Sequence, residues 1–93
     1  MRPLSEQREA IIHIAAKHGA KNIRVFGSTA RGDRGHDSDI DILIDLEAGR
    51  SVLDQVALKQ ELEEFLERPV DVVVEGGISP YLEERILAEA VPL

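Results

Sequence analysis

The segment from Asp39 to Leu46 alternates, with one exception, between two kinds of side chain. Its even positions are aliphatic, and its odd positions, apart from Leu43, are aspartates. Because successive side chains of a β-strand point to opposite faces of a sheet, this alternation predicts a strand with one aliphatic face and one acidic face. The aliphatic face is complete, so the aspartates opposite it are not needed for solubility alone.

Capping residues and hydrophobic periodicity predict the elements before this strand. A helix is expected over residues 5–18, with Ser5 as its N-cap and Gly19 just beyond its C-terminal end. A short strand over residues 23–26 follows it and ends at Gly27. The residues expected on the buried stripe of the first helix are Ile11, Ile12, Ala15 and Ala16.

Similar signals predict the elements after the acidic strand. Ser51 and Asp54 have the spacing of a capping box and open a second helix that ends near residue 67. A third strand is expected over residues 70–75, and Ser79 begins a last helix that continues to about residue 90. The aliphatic C-terminal end could close the core or join an oligomer interface. The core positions expected on the second helix are Val56, Leu62, Phe65 and Leu66.

Length, charge and cysteine content exclude several classes of protein. The chain has 93 residues, so a single domain over residues 1–93 is predicted. Its formal net charge of -7 argues against direct binding of nucleic acid and suits anionic substrates handled through cations, or a basic partner. The absence of cysteine excludes disulfides and thiolate metal sites. No apolar run approaches the length of a membrane span, so we expect a cytoplasmic protein with no membrane contact.

Asp39 and Asp41 are candidate metal ligands. Residues i and i+2 of a strand project from one face with Cα atoms about 6.6 Å apart, so the two carboxylates can converge on one small volume. Carboxylates held this close repel each other unless a cation lies between them, and Mg²⁺ prefers such oxygen ligands. The alternative is a solvated strand face. A calcium loop is excluded because its glycine and its twelfth-position glutamate are missing, and no P-loop or dinucleotide motif is present.

A candidate phosphate-binding turn precedes the acidic strand. Gly27 and Ser28 directly follow the first predicted strand, where glycine allows close approach to an anion and serine offers a hydroxyl beside backbone N–H groups. Arg31 follows at a spacing that could bring its guanidinium to the same anion. Each feature alone is more often an ordinary turn or a surface charge. Together with the acidic strand, they predict a nucleoside triphosphate site.

Asp71 is the candidate third carboxylate. It interrupts a run of valines in the third predicted strand, where an uncompensated charge is costly. A metal shared with Asp39 and Asp41 would compensate it. The alternative is an edge-strand position that faces water, because Val73 and Glu75 share its face.

These residues carry a family resemblance. Gly27-Ser28-x-x-Arg31-Gly32, a short loop and then Ser38-Asp39-Ile40-Asp41 resemble the signature of the DNA polymerase β-like nucleotidyltransferase superfamily, and within it the minimal nucleotidyltransferases (MNT). The resemblance extends over essentially the whole chain. It implies an α+β fold in which a small mixed β-sheet has helices packed on one face.

The resemblance also implies roles for individual residues. Gly27 and Ser28 would hold the triphosphate, with Arg31 and Ser38 in the same nucleotide-binding motif. Asp39 and Asp41 would ligate two Mg²⁺ ions, and Asp71 would be the third carboxylate near the attacking hydroxyl, as metal ligand and base. An acceptor oxygen would attack the α-phosphorus of ATP and release pyrophosphate.

MNT proteins are commonly paired with HEPN ribonuclease toxins, and the resemblance implies an antitoxin that adenylylates such a partner. The chain could also form a homo- or hetero-oligomer. A second hypothesis is a non-catalytic module that inhibits its partner by occlusion. Transfer to a small molecule is less favoured, because no second domain supplies an acceptor pocket.

Overall fold

The computed structural model describes residues 4–27, 29, 39–77 and 79–93. Within them the chain forms three helices and four strands in the order α1, β1, β2, α2, β3, α3, β4. The bounds are α1 Leu4–Lys17, β1 Ala20–Val25, β2 Ile40–Leu46, α2 Val52–Leu66, β3 Val70–Val74, α3 Pro80–Glu89 and β4 Val91–Pro92. None of the helices in these ranges is long and apolar enough to cross a membrane.

The four strands form one mixed sheet in the order β3-β2-β1-β4. β2 pairs parallel with β3, whereas β1 pairs antiparallel with both β2 and β4. The predicted α+β class with a small mixed sheet is therefore confirmed. β2 has a neighbour on each side, which places the alternating segment in the interior of the sheet.

The core lies between one face of the sheet and the helices α1 and α2. The aliphatic face of β2 is buried as predicted, with Ile40, Ile42 and Ile44 no more than 1% exposed. The opposite face is not wholly polar, because Leu43 is fully buried on it. The helix residues buried against the sheet are Ile11, Ile14 and Ala15 of α1 and Leu58, Leu62 and Leu66 of α2.

The predicted helix stripes were partly wrong. Ile12 and Ala16 of α1 and Val56 and Phe65 of α2 are exposed. α1 instead buries positions i, i+3 and i+4 starting from Ile11, and α2 buries every fourth residue from Leu58. The side that faces the sheet is fixed by how each helix lies on it, and several apolar stripes were compatible with the sequence alone.

The helix ends were predicted more accurately. Ser51 and Asp54 form the expected capping box, and the Ser79 hydroxyl accepts a hydrogen bond from the Leu82 N–H at the start of α3. Gly19 has a φ of +79°, as expected beyond a helix C-terminus. Ser5 is not the N-cap of α1, because the helix already begins at Leu4.

Two strands differ from the sequence-based expectation. β1 begins at Ala20 rather than at residue 23, and its pairing with β2 shifts register between Lys21 and Arg24. Such an irregularity breaks the alternation by which strands are identified. β4 was not predicted, and its two residues pair with the end of β1. Leu93 then packs against the core, so this end of the chain contributes to the core.

Candidate nucleotidyl-transfer site

Gly27 lies directly against the side chain of Asp41. The backbone N–H of Phe26 donates a hydrogen bond to the Asp41 carbonyl (3.1 Å), just beyond the last register pair of β1 and β2. Gly27 then adopts a φ of +60°, and a Cβ atom there would lie 2.6 Å from Asp41 Oδ2. The backbone conformation favours glycine, and a larger residue would displace the Asp41 carboxylate. The predicted phosphate turn and the acidic strand are thus in contact.

The side chain of Thr29 also contacts Asp41, at the backbone of Asp41. The Thr29 hydroxyl oxygen accepts a hydrogen bond from the Asp41 N–H at 3.0 Å. Sequence reasoning did not single out Thr29. The available signal was a hydroxyl residue inside a glycine-rich turn, where threonine often bonds to nearby backbone.

Asp41 and Asp71 are register partners on the parallel strands β2 and β3. Register partners in neighbouring strands are about 4.8 Å apart and project from the same face of the sheet. Asp41 is half-buried, whereas Asp71 is exposed on β3, which is an edge strand. Asp71 therefore lies at an exposed position on an edge strand, as the alternative interpretation expected. The same position also places it beside Asp41.

Asp39 is exposed and immediately precedes β2. Within the described ranges, no group of three His, Cys, Asp or Glu side chains is arranged to hold a metal ion. Asp41 and Asp71 nevertheless provide the donor set that Mg²⁺ prefers, since this ion is usually held by one or two carboxylates and completes its shell with water and substrate phosphates. The neighbouring carboxylates also repel each other in the absence of a cation. These residues fit a Mg²⁺ ion shared with a substrate.

Three predicted nucleotide-binding residues, Ser28, Arg31 and Ser38, lie outside the described residues. Their assignment remains a prediction. Among the described residues of this turn, Gly27 and Thr29 both contact Asp41.

A second charged cluster lies on the same face of the sheet, towards the other end of β2. The Nη2 atom of Arg24 is 3.4 Å from Asp45 Oδ1 and 3.3 Å from Glu75 Oε2, and Arg24 Nε donates to the Asn22 carbonyl. Burial alone would raise the pKa of Asp45. Hydrogen bonds with Glu75 and Asn22 and the charges of Arg24 and Lys21 outweigh it and lower the pKa below its usual value.

Arg24 therefore neutralises part of the acidic face at the end away from Gly27. The predicted metal ligands lie towards the other end of the same face, apart from this cluster. Sequence reasoning missed this cluster, because it joins residues 24, 45 and 75 through the pairing of strands that are distant in the chain.

Comparison with known proteins identifies the family of the chain. The sequence profile of the nucleotidyltransferase domain family matches residues 6–93. A Methanocaldococcus jannaschii protein, provisionally named a protein adenylyltransferase, is 49% identical over 88 residues that cover 95% of each chain. The protein adenylyltransferase MntA of Thermococcus cleftensis is 37% identical over 75 residues, 81% of this chain and 76% of that one.

Solved structures share the fold. A protein provisionally described as a minimal nucleotidyltransferase superposes with a TM-score of 0.87 at 49% identity, over 97% of this chain and 92% of the other. A chain from the structure of a tri-AMPylated Shewanella oneidensis HEPN toxin in complex with an MNT antitoxin matches with a TM-score of 0.73. That match covers 95% of this chain and 69% of the other, and its 21% identity shows a common fold only.

Proposed function

The chain belongs to the nucleotidyltransferase domain family, and from this we propose that it is a Mg²⁺-dependent protein adenylyltransferase acting on a HEPN-type toxin. It would transfer AMP from ATP to a hydroxyl group of the toxin and so neutralise it in the cytoplasm. The adenylyl group is supported by the relatives named protein adenylyltransferases. The toxin as acceptor is supported by the resemblance to MNT proteins. It is also supported by the tri-AMPylated HEPN toxin whose complex with an MNT antitoxin contains a chain of the same fold as this one.

The observation that carries the proposal is the contact of three features at one end of the sheet. Asp41 has Gly27 against its carboxylate and Asp71 as its register partner. A triphosphate lying along the turn at Gly27 would therefore meet the carboxylates that hold its cation. Neither a solvated strand face nor an ordinary turn requires this contact.

In the proposed reaction the acceptor oxygen attacks the α-phosphorus, a new P–O bond forms, and the bond to pyrophosphate breaks. Gly27 and Ser28 would hold the triphosphate, with Arg31 and Ser38 beside it, and Asp39 and Asp41 would hold the Mg²⁺ that the phosphates share. Asp71, exposed at the sheet edge, is open to the incoming hydroxyl and accepts its proton. When bound, Mg²⁺ supplies the Lewis-acid stabilisation of developing negative charge.

Incubation of the purified protein with Mg²⁺, α-labelled ATP and the HEPN-type partner tests this proposal. We expect label on the toxin with the wild-type protein and none with the double variant Asp39→Asn, Asp41→Asn. The exposed Glu9 on α1 gives a matched control, Glu9→Gln, which should transfer normally. Complex formation should be the same for all three. Toxin neutralisation that survives the double variant without any transfer would contradict catalysis.

One observation favours the second candidate, a module that inhibits by occlusion. α3 has no buried residue and exposes Tyr81 (79%) and Leu82 (51%) among its glutamates. Exposed apolar residues of this kind are typical of protein contact surfaces and are independent of nucleotide chemistry. Occlusion predicts that the double variant neutralises the toxin as well as the wild type does.

A further inference from the structure

The backbone N–H of Asp41 donates its hydrogen bond to a side chain, where a strand residue normally bonds to the backbone carbonyl of a neighbouring strand. The N–H of Ile40 donates to the Pro69 carbonyl, next to β3. Because alternate residues of a strand point their N–H groups to opposite sides, the N–H of Asp41 faces β1 instead. β1 ends at Val25, whose register partner is Ile42, so its regular pairing stops before it reaches this N–H group.

Thr29 supplies the missing acceptor. Its hydroxyl oxygen lies 3.0 Å from the Asp41 nitrogen, in place of a strand carbonyl. It is the only threonine in the chain. Phe26 N–H bonds the carbonyl of the same residue at 3.1 Å, so both backbone polar groups of Asp41 are bound by the segment that carries Gly27.

These two hydrogen bonds fix the start of β2, and with it the position of the Asp41 carboxylate. The Asp41 side chain lies where a Cβ at Gly27 would need space, and on the other side Asp41 is level with Asp71. If the Asp41 backbone moved away from Thr29, its carboxylate would move relative to both. Misplacement by about 1 Å in an active site can reduce the rate about 100-fold.

We propose that Thr29 is a positioning residue for nucleotidyl transfer, acting through its hydroxyl on the backbone of Asp41. The inference rests on the proposed role of Asp41 in that reaction. It predicts that the hydroxyl oxygen matters and the methyl group does not. Thr29→Ser should therefore behave like the wild type, whereas Thr29→Val, of nearly the same shape, should not.

The test compares these two variants with Ser51→Ala. The Ser51 hydroxyl also accepts a backbone hydrogen bond, from Leu53 N–H at 3.2 Å, but at the start of α2 rather than beside Asp41. Loss of either bond should lower the unfolding temperature by a few degrees. In the transfer assay we expect Thr29→Val to lower kcat about 10- to 100-fold. We expect Thr29→Ser and Ser51→Ala to stay within about twofold of the wild type, since neither loses the bond to Asp41.

Two further measurements do not depend on transfer. Amide hydrogen exchange at Asp41 should become faster in Thr29→Val only, because its N–H loses its acceptor. Binding of Mn²⁺ as a probe, followed by paramagnetic broadening, should weaken about tenfold in the same variant, as expected for a displaced carboxylate ligand. If the wild type transfers no AMP, the proposed function fails, and these two measurements still decide separately whether the Thr29 hydroxyl positions Asp41. Unchanged exchange, unchanged Mn²⁺ affinity, or a serine variant as impaired as the valine variant would overturn it.

Discussion

The carboxylate of Asp41 occupies the space that a side chain at position 27 would need. The gap between a Cβ atom on Gly27 and Asp41 Oδ2 would be 2.6 Å, which is closer than any stable contact of this kind. The turn after β1 and the acidic strand β2 are thus fitted to each other. Anything that enlarges position 27 must displace the carboxylate that the proposed reaction needs.

Gly27→Ala should therefore reduce AMP transfer about 100-fold or more, because the new methyl group pushes the Asp41 carboxylate out of place. The left-handed backbone, with a φ of +60°, should add a stability loss of about 1 kcal/mol. Steady-state transfer and thermal unfolding would measure the two effects separately.

Gly49→Ala is the matched control for that variant. Gly49 has a φ of +90°, and a methyl group added there would have no neighbouring atom within 4 Å, so it shares the backbone strain without the contact. It should lose a similar amount of stability and keep full transfer activity. Equal loss of transfer in the two glycine variants would mean that strain, and not the Asp41 carboxylate, limits the reaction.

Local signals in the sequence predicted the elements of the fold well. The alternation of β2 and the capping box of Ser51 and Asp54 depend only on residues close in the chain, and both are confirmed. The buried stripes of α1 and α2 were harder, because the side of a helix that faces the sheet depends on tertiary packing. Strand β4 exists because β1 leaves an edge for Val91 to pair with, which no local pattern indicates.

The site shows the same division. Residue types, their order in the chain and the family resemblance indicated that Gly27, Asp41 and Asp71 could act together, but their proximity depends on strand order and register. Arg24 was missed because its charged partner Asp45 lies 21 residues further along the chain. Thr29 was missed because its partner Asp41 lies 12 residues further along. Neither residue type suggests a special role without that geometry.

Asp71→Asn should separate metal binding from folding. The variant removes one of two neighbouring carboxylates, so it should be at least as stable as the wild type in EDTA. Mg²⁺ with ATP should raise the unfolding temperature of the wild type and have a much smaller effect on the variant. Differential scanning calorimetry would measure both. An Asp71→Asn protein stabilised by Mg²⁺ and ATP as strongly as the wild type would exclude this residue as a ligand.

Arg24→Met should destabilise the fold by about 2–4 kcal/mol, because it leaves Asp45 and Glu75 facing each other without the cation between them. The Arg24 side chain is only 12% exposed, so solvent replaces little of the lost interaction. Chemical unfolding would measure the loss. Lys59→Met removes a half-exposed pair with Glu63 on α2 and should cost much less. Similar losses in the two variants would show that the Arg24 cluster contributes no more than a surface ion pair.

Glu63 makes the stability of the fold depend on acid pH. Hydrogen bonds from the Lys59 ammonium and the Val70 N–H lower the pKa of Glu63 below its usual value of 4.5. A carboxyl group with a lowered pKa in the folded state contributes its full stabilisation above the unfolded pKa, and this is lost as the pH falls through the folded pKa. The unfolding temperature of the wild type should therefore fall between about pH 5 and about pH 3, in part because Glu63 becomes protonated.

Glu63→Gln isolates that contribution. The glutamine carbonyl can still accept from Val70 N–H, so the connection between α2 and β3 is kept while the titrating group is removed. The variant should be less stable than the wild type at neutral pH, and the difference should shrink as the pH falls below 4.5, since the wild type alone loses a bound carboxylate. Glu64→Gln, at an exposed position of the same helix, should leave the wild-type pH dependence unchanged. Thermal unfolding of the three proteins between about pH 3 and pH 7 tests this contribution of Glu63. Parallel plots of unfolding temperature against pH for the wild type and Glu63→Gln would contradict it.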